Sequence, residues 1–323
     1  MGPQLIREAG MRTYIVKRVF ISMLTLLGVM TLVFLVVRLV PGDPVKVLLG
    51  DFYNPRTAAA MRERLGLDQP LYMQYLTYLW NTLRGDFGES YITGRSVFRE
   101  LMRAFPYTIH LGIASLIFSV VIGVPAGIIA ALNRNTWLDI VSMSIAIAFI
   151  SVPGFYLGIL LIQLFSLRLG WFPVTGVGDP SSFVSLVRHL TLPSIALGAP
   201  TAAITARMAR SSVLEALSED YVRTARAKGL HERVVIFKHT LRNAMVPIMA
   251  IVGLSIAMRF GGSVIIEVVF ARTGIGWLLV ASIFDRDYIQ VQLSVLFYAC
   301  ILVAVNILVD LSYAWFDPRI RYD

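Results

Sequence analysis

One uncharged, apolar run, from Val19 to Val37, constrains the fold of this chain more than any other feature. As an α-helix it would extend about 28 Å, close to the thickness of the hydrocarbon core of a bilayer. The whole chain has the same character, because 57% of its 323 residues are hydrophobic and only 15% are charged. A water-soluble domain of this length exposes more charge. The run therefore predicts a transmembrane helix rather than a buried core helix.

A secretory signal is the alternative interpretation of this first run, because four basic residues precede it: Arg7, Arg12, Lys17 and Arg18. The run is longer than the apolar core of about 7–15 residues that is typical of a signal. The next residues are Arg38-Leu-Val-Pro-Gly-Asp-Pro44, which contain no small-x-small cleavage site. We therefore expect a retained first span.

Five more apolar segments bring the prediction to an all-α integral membrane protein with six transmembrane helices. They are Leu111–Leu132, Ile140–Leu167, Leu190–Ala206, Ala244–Ile266 and Leu293–Trp315. The fourth span contains two prolines, and the fifth contains Arg259 and a Gly-Gly pair. In a bilayer, neighbouring helices must satisfy the backbone groups that such residues free. We expect both of these spans to line the interior of the bundle.

Positive charge is concentrated in the short loops that are cytoplasmic if the N-terminus is cytoplasmic. These inner loops hold Arg134 and eight basic residues between Arg207 and Arg242, whereas the outer short loops hold four. The bias predicts a multi-pass membrane protein with both termini inside. It also accounts for the net charge of +9, so nucleic-acid binding is not expected.

A long insert, residues 41–105, is predicted on the extracytoplasmic side. Turn signals separate two predicted helices within it, Arg56–Leu65 and Pro70–Leu83. Its aromatic residues Tyr72, Tyr75, Tyr78 and Trp80 are expected to pack on the bundle or to lie at the membrane interface, with ligand binding as the weaker alternative. The predicted division is a cytoplasmic tail at 1–18, a first span at 19–40, the insert, and a transmembrane core at 106–323.

The loop between the fourth and fifth spans, from Leu214 to Pro247, combines a helix, a glycine and a second helix that starts near His231. Asp220 is predicted as the N-cap of the first helix, and Gly229 supplies the left-handed residue that ends it. Apolar and basic positions are interspersed, so the segment is amphipathic. Such a segment can lie on anionic lipid headgroups or insert into a groove of a cytoplasmic partner, and the residue pattern does not decide between these.

The run Asp220-Tyr-Val-Arg-Thr-Ala-Arg-Ala-Lys-Gly-Leu230, followed by Leu241-Arg-Asn-Ala244 and Pro247, resembles the coupling-helix signature of ABC importer permeases of the dipeptide, oligopeptide and nickel group. Further motifs of that group occur in the same order over nearly the whole chain. They are Arg38-Leu-Val-Pro-Gly-Asp-Pro44, Leu65-Gly-Leu-Asp-Gln-Pro-Leu71, Gly85-Asp-Phe-Gly-Glu-Ser90, Gly170-Trp-Phe-Pro-Val-Thr-Gly176, Gly262-Ser-Val-Ile-Ile-Glu267 and Asp317-Pro-Arg-Ile-Arg321.

Some positions depart from the general importer motif. Arg223 and Thr224 stand where that motif has glutamate and alanine, and Arg242 stands where a later proline is expected. These departures resemble the variant of the peptide group. Thr273 also replaces an expected proline, which affects only the local turn.

The resemblance implies a type I ABC importer permease whose cytoplasmic coupling helices, around residues 214–243, contact a separate ATPase subunit. The implied contact residues are Asp220, Tyr221, Arg223, Thr224, Ala225, Arg226, Lys228, Gly229, Leu230 and His231. The implied partners are a second homologous permease, two ATP-binding subunits that hold ATP and Mg, an extracytoplasmic solute-binding protein, and membrane lipid.

The chain itself carries no sequence signature of an enzyme. None of its lysines precedes Ser or Thr, so the phosphate-binding loop of an ATPase is missing. Neither His-Glu-x-x-His nor Gly-x-Ser-x-Gly occurs, the four histidines are scattered, and Cys300 is the sole cysteine. We therefore expect no catalytic residue, metal or cofactor on this chain.

The expected substrate is a dipeptide or oligopeptide, and glutathione, a nickel chelate or an oligosaccharide are alternatives within the same group. An ion-coupled secondary carrier is the alternative from another class, but few carboxylates lie in the apolar segments and no internal repeat is visible. Arg259 and Glu267 are predicted to line the translocation pathway. The other interpretation of Arg259 is structural pairing with an acid such as Glu267 or Asp310.

Overall fold

The computed structural model describes the backbone of residues 3–39 and 43–316, and the side chains of residues 17–39, 43–256, 259 and 261–308. Within these ranges the secondary structure is helical apart from an isolated bridge between Glu89 and Ser96, which confirms the all-α prediction. The helices are α1 Pro3–Leu39, α2 Pro44–Leu49, α3 Pro55–Arg64, α4 Leu71–Leu83, α5 Val97–Leu132, α6 Trp137–Ser151, α7 Gly154–Leu161, α8 Phe183–Ser218, α9 Asp220–Ala227, α10 Glu232–Val234, α11 Leu241–Val269, α12 Ile275–Phe284 and α13 Tyr288–Phe316.

Short non-α helical segments complete this list. A 3-10 turn, Gly50–Phe52, follows α2, and π-helical segments continue α7 at Ile162–Arg168 and α10 at Val235–Thr240. Two of the sequence motifs reach outside the described part of the chain. Residues 40–42 of the first motif and the C-terminal Asp317-Pro-Arg-Ile-Arg321 lie there, as does the side chain of Asp310.

The chain divides into two compact units. The first contains Met1–Pro106 and Ile275–Asp323, and the second contains Tyr107–Gly274. In the first unit, α1 and α12 pack on α13, and α4 packs on α1. In the second unit, α8 packs against α6, α7 and α11. The division predicted from the sequence, into tail, first span, insert and core, follows membrane topology and not these two units. It stays a prediction.

Four helical stretches in the described ranges are long and apolar enough to cross a membrane: Lys17–Leu39, Val97–Leu132, Glu232–Ile256 and Tyr288–Leu308. A fifth candidate is the pair Trp137–Ser151 and Gly154–Arg168, bent by 105°. The sequence predicted one continuous span there. Pro153 causes the difference, because a proline forces the preceding residue out of the helical region, and Val152 is extended with φ −89° and ψ 123°.

The predicted fourth span lies within α8, which is interrupted neither by Pro193 nor by Pro200. It is not among the helices that are long and apolar enough to be candidate spans. Fourteen of its 36 residues are buried, among them many alanines, so α8 lies at the centre of its own unit. Glycines of α5 let the two backbones approach closely: a Cβ on Gly123 would lie 2.5 Å from the carbonyl oxygen of Ala202, and one on Gly127 would overlap that of Ala206. Small residues at a spacing of four are typical of close helix packing in membranes.

The insert folds into α2, α3 and α4, of which α3 and α4 begin and end within a residue of their predicted bounds. The short helix α2 was not predicted. Asp43 caps it by accepting a hydrogen bond from the Val45 amide at 3.0 Å, and it also forms an ion pair with Arg62 of α3. Burial alone would raise the pKa of Asp43, but these bonds outweigh burial and hold the pKa below its usual value.

Two of the four aromatic residues of α4 pack against α1, as predicted. Tyr75 meets the ring of Phe34 edge-on at 5.1 Å between centroids, and Tyr78 stacks on the same ring at 5.9 Å. The hydroxyls of Tyr75 and Thr31 are hydrogen-bonded at 2.6 Å. Tyr72 and Trp80 are exposed. The contact fixes α4 against the C-terminal end of α1.

Candidate coupling site

The amphipathic loop forms α9 directly after α8. Only Glu219 separates the two helices, and its backbone is extended with φ −70° and ψ 149°. Glu219 therefore occupies the N-cap position, and the prediction that Asp220 is the N-cap was wrong by one residue. Asp220 is instead the first helical residue, where its carboxylate pairs with Arg223 at 3.3 Å. A carboxylate in the first turn is favourable because it faces the positive end of the helix dipole.

One face of α9 is buried within its own unit. Val222 and Ala225 pack with Val235 and the partly buried Tyr221 in a small apolar cluster. The opposite face is exposed and carries the other residues implied by the resemblance: Asp220, Arg223, Thr224, Arg226, Lys228, Gly229, Leu230 and His231. The structure thus brings the predicted residues together on one helix and its cap, but it divides them into a packed face and an open face.

A Schellman motif ends α9. The amide of Gly229 donates to the carbonyl of Arg226 at 2.9 Å, and the amide of Leu230 donates to the carbonyl of Ala225 at 3.4 Å. Gly229 has φ +74°, as predicted, and nothing lies within 4 Å of the position that a Cβ would take. The glycine is therefore required by backbone conformation and not by a lack of space.

The second helix begins where the sequence predicted. His231 is the N-cap of α10, and its ring nitrogen accepts from the Arg233 amide at 3.2 Å. Glu232, the first residue of α10, forms an ion pair with Arg226 across the turn at 2.7 Å. The helix–glycine–helix unit is thus closed by a cap on each side and one ion pair between its helices.

A paired charge behind the loop was not found from the sequence. Arg210 of α8 contacts both carboxylate oxygens of Asp139 at 2.6 and 2.8 Å, and Asp139 also accepts from the Asn135 amide. Asp139 is 4% exposed. The pair joins α8, two turns before its end, to the first turn of α6. The sequence does contain one signal for this pair, because the two opposite charges lie at the ends of two predicted spans. However, 71 residues separate them, and no spacing rule relates residues so far apart.

Arg259 lies in α11 and is 4% exposed. It donates to Ser115 Oγ at 3.1 Å and to Ser119 Oγ at 2.8 Å, both on α5, and its Nε has no partner among the described groups. The residue also lines a cavity of about 280 Å³ with Gly154, Pro200 and Gly262. Its partners are hydroxyls, and within the described side chains it forms no ion pair with Glu267.

Glu267, the other predicted pathway residue, does not line that cavity. It is fully buried, and a Cβ on Gly274 would meet its carboxylate and the hydroxyl of Thr108. The fully buried Arg272 lies close enough to interact with it electrostatically. This geometry favours a structural role for Glu267 in the turn after α11.

Together, the long apolar helices and the capped amphipathic helix with its exposed polar face agree with the permease class that the sequence motifs resemble. The family model described as binding-protein-dependent transport system inner membrane component matches residues 123–322, and the model of its N-terminal part matches residues 11–112. The chain belongs to this family and is the inner-membrane permease component of an ABC importer.

Two relatives match nearly the whole chain. The chain is 44% identical over 312 residues to the glutathione transport system permease protein GsiC of Escherichia coli (strain K12), a match that covers 97% of this chain and 100% of the relative. The protein of the same name from Shigella dysenteriae serotype 1 (strain Sd197) has the same identity and coverage.

A solved structure shares the fold. It is described as inward-facing conformations of the MetNI methionine ABC transporter, and the match has a TM-score of 0.54 with 22% sequence identity. The match covers 66% of this chain and 94% of the other. At this identity the likeness shows the fold alone, which agrees with the predicted permease class.

Proposed function

We propose that this chain is one of two homologous permease subunits of an ATP-driven importer for short peptides, which a solute-binding protein delivers from outside. Two ATP-binding subunits, which hold ATP and Mg, supply the energy on the cytoplasmic side. The permease then needs neither a catalytic residue nor a cofactor of its own. The observation that carries the proposal is the capped helix α9, joined to α8 through the single residue Glu219.

The geometry of α9 suits the transfer of a displacement from a partner subunit to α8. A partner that closes on binding ATP can displace α8 only if α9 neither unwinds nor swivels. The Schellman motif at Gly229 resists unwinding, and the packing of Val222 and Ala225 against Val235 resists rotation. The exposed polar face of α9 is left for the partner. ATP binding would then favour the outward-facing state, and hydrolysis would restore the inward-facing one.

The proposed topology has both termini and the α9 loop in the cytoplasm. It rests on the excess of Lys and Arg between Arg207 and Arg242 over the outer short loops. The insert that contains α2, α3 and α4 then faces the binding protein. Lipid surrounds the apolar outer faces of the helices.

Short peptides are the proposed substrate class because the motifs of this chain resemble the peptide group and the GsiC relatives are glutathione permeases by name. Glutathione is itself a short peptide and is the first compound to test. A nickel chelate and an oligosaccharide are the remaining candidates within the group.

Arg259 is the residue that we propose to meet the substrate within the membrane. It keeps a positive charge beside a cavity of about 280 Å³, and its neighbours Ser115 and Ser119 are neutral. A carboxylate of a passing peptide would find an opposite charge there. We propose that Glu267 stabilises the turn after α11 and does not line the pathway.

Replacing Gly229 with Val tests the proposed function. A β-branched residue disfavours the left-handed conformation, at a cost of about 1–2 kcal/mol or more, so the cap should open. We expect ATP-dependent glutathione uptake into proteoliposomes of the assembled transporter to fall at least about tenfold, with the same amount of inserted protein. Gly229→Asn should keep most of the uptake, because Asn tolerates this conformation best among non-glycine residues.

Gly94→Val is the matched control. Gly94 has φ +65° and, like Gly229, nothing within 4 Å of an added Cβ, but it lies in the insert. We expect uptake close to that of the unmodified protein. Unchanged uptake in Gly229→Val would contradict the coupling role. Uptake that persists without ATP and stops when an ionophore collapses the ion gradients would instead support a secondary carrier.

A further inference from the structure

The first unit contains a second cavity, of about 410 Å³, lined by α1, the end of α3, α4, α13 and the turns that follow α3 and α4. We call it the insert cavity and define it by Arg38, Gln74, Tyr78, Tyr91 and Gln292. Its volume lies within the range of about 300–1,000 Å³ that small-molecule sites occupy. Neither the coupling helix nor the cavity beside Arg259 accounts for it.

Three polar atoms around the insert cavity are buried without a hydrogen-bond partner in the part of the chain that the structure describes. They are Nη1 of Arg38, Oη of Tyr78 and Nε2 of Gln292. Gln292 is only 5% exposed. Buried polar groups in folded proteins are normally paired, and three orphaned groups on one cavity are unusual. All three can donate a hydrogen bond, so together they match an acceptor with more than one oxygen.

These groups are held in place and are not loose surface side chains. Nε of Arg38 donates to Gln74 Oε1 at 3.0 Å, and the guanidinium lies 3.7 Å from the centroid of the Phe34 ring. Tyr78 stacks on the same ring. Burial raises the pKa of Tyr78 to about 12, so its hydroxyl remains a protonated donor at neutral pH.

The charges of the cavity are arranged by depth. Arg38 is partly buried and stacked, whereas Glu63, Arg64 and Asp86 are exposed at the rim. Two positive and two negative side chains therefore line the cavity, with a positive group inside and both acids outside. A simple anion would meet the acids on entry. A zwitterion with a carboxylate at one end and an ammonium group at the other would pair with the positive group inside and with the acids at the rim.

We propose that the insert cavity binds a short zwitterionic peptide, with its carboxylate at Arg38, Tyr78 and Gln292 and its ammonium group toward Glu63 and Asp86. This inference rests on the proposed function, because it takes a short peptide as the transported solute. It adds a binding site on the permease itself, within the unit that contains the insert. Such a site would hold peptide at the outer face after its release from the binding protein.

The test measures binding of triglycine to the membrane complex in lipid nanodiscs, without ATP and without the binding protein, by saturation-transfer NMR. Two probes change one end each: triglycinamide lacks the carboxylate, and N-acetyltriglycine lacks the ammonium group. We expect triglycine to bind, triglycinamide to bind at least about tenfold more weakly, and N-acetyltriglycine to fall between them.

Tyr78→Phe tests the site without disturbing its packing, because it keeps the ring stacked on Phe34 and removes only the unpaired hydroxyl. We expect triglycine to bind about tenfold more weakly, with no loss of thermal stability. Tyr72→Phe is the matched control on the same helix, since Tyr72 is 63% exposed and outside the cavity. It should bind triglycine like the unmodified complex. Gln292→Leu should weaken binding in the same sense as Tyr78→Phe.

The outcomes are separable from those of the coupling test. The Gly229→Val complex should still bind triglycine normally while its uptake is lost, because the changed residue lies in the other unit. Equal binding of triglycine and triglycinamide would overturn the inference. Unchanged binding in both Tyr78→Phe and Gln292→Leu would also overturn it.

Discussion

Arg259 shows how a single residue can place a charge inside a membrane protein. A charged group near the bilayer centre costs several kcal/mol unless it is hydrogen-bonded or faces a cavity. Both conditions hold, because Ser115 and Ser119 accept from its two terminal nitrogens and the cavity lies beside it. The serine hydroxyls solvate the guanidinium without neutralising it. The positive charge is therefore preserved, as a substrate-binding role requires.

Replacing Arg259 with Gln keeps hydrogen-bonding capacity toward the serines but removes the charge. We expect uptake of peptides with a free carboxylate to fall about tenfold relative to peptides with an amide at that end, because the cavity wall would lose the positive charge that attracts the carboxylate. Competition between triglycine and triglycinamide for uptake measures this ratio. Arg259→Lys keeps the charge and should retain the preference. A Gln variant with an unaltered substrate profile would limit Arg259 to a structural role.

At the scale of an element, α8 connects the membrane part of its unit to α9, the proposed coupling helix. It runs without interruption from Phe183 to Ser218, packs against α6, α7 and α11, and continues into α9 through Glu219. The bidentate pair between Arg210 and Asp139 ties its C-terminal half to α6. A displacement of α9 should therefore move α8 and α6 together.

Breaking the Arg210–Asp139 pair should loosen this connection. We expect Asp139→Asn to lower the free energy of unfolding by about 2 kcal/mol, because it leaves the partly buried guanidinium of Arg210 without its counter-charge. ATP hydrolysis should continue while glutathione uptake per ATP falls several-fold. Thermal inactivation and the ratio of uptake to hydrolysis in proteoliposomes measure the two effects.

A double-mutant cycle separates the pair from its single residues. Asp139→Asn combined with Arg210→Gln should cost less than the sum of the two changes, since each removes the same interaction. Arg207→Gln is the control, because Arg207 is exposed on the same helix one turn earlier. Strict additivity would argue against the pair as a mechanical link.

At the scale of the whole molecule, membrane topology organises the charges and the apolar surface. Many large apolar side chains are exposed on the spanning helices, for example Phe20 at 63%, Val121 at 60% and Ile140 at 63%. Contact with lipid or with a second permease explains such surfaces. In the proposed topology, the basic loop around α9 and the insert lie on opposite sides of the membrane.

Cysteine labelling tests this topology directly. Cys300→Ser removes the sole cysteine, and Thr93→Cys in the insert or Ser218→Cys before α9 then supplies one exposed thiol. A membrane-impermeant maleimide should label Thr93→Cys on intact spheroplasts. It should label Ser218→Cys only after the membrane is opened. The reverse pattern would invert the proposed orientation and exclude a cytoplasmic contact at α9.

The sequence alone determined the features that depend on local chemistry. The apolar runs located four of the helices that can cross a membrane, because a bilayer requires long uncharged helices. Gly229 predicted the end of α9, because only glycine adopts its backbone conformation without cost. The bounds of α3 and α4 could be predicted from turn residues in the same way. Even the error at Asp220 was a displacement of one residue, since Glu219 and Asp220 are both acceptable near a helix start.

Only the tertiary structure decided which distant groups meet. The pair of Asp139 with Arg210, the serines that solvate Arg259, and the orphaned donors around the insert cavity all join residues separated by tens to hundreds of positions along the chain. Periodicity and capping rules describe neighbours within one helix and contain no information about such pairs. Helix packing decides the first two, because it sets which side chains of α6 and α8, and of α5 and α11, face each other.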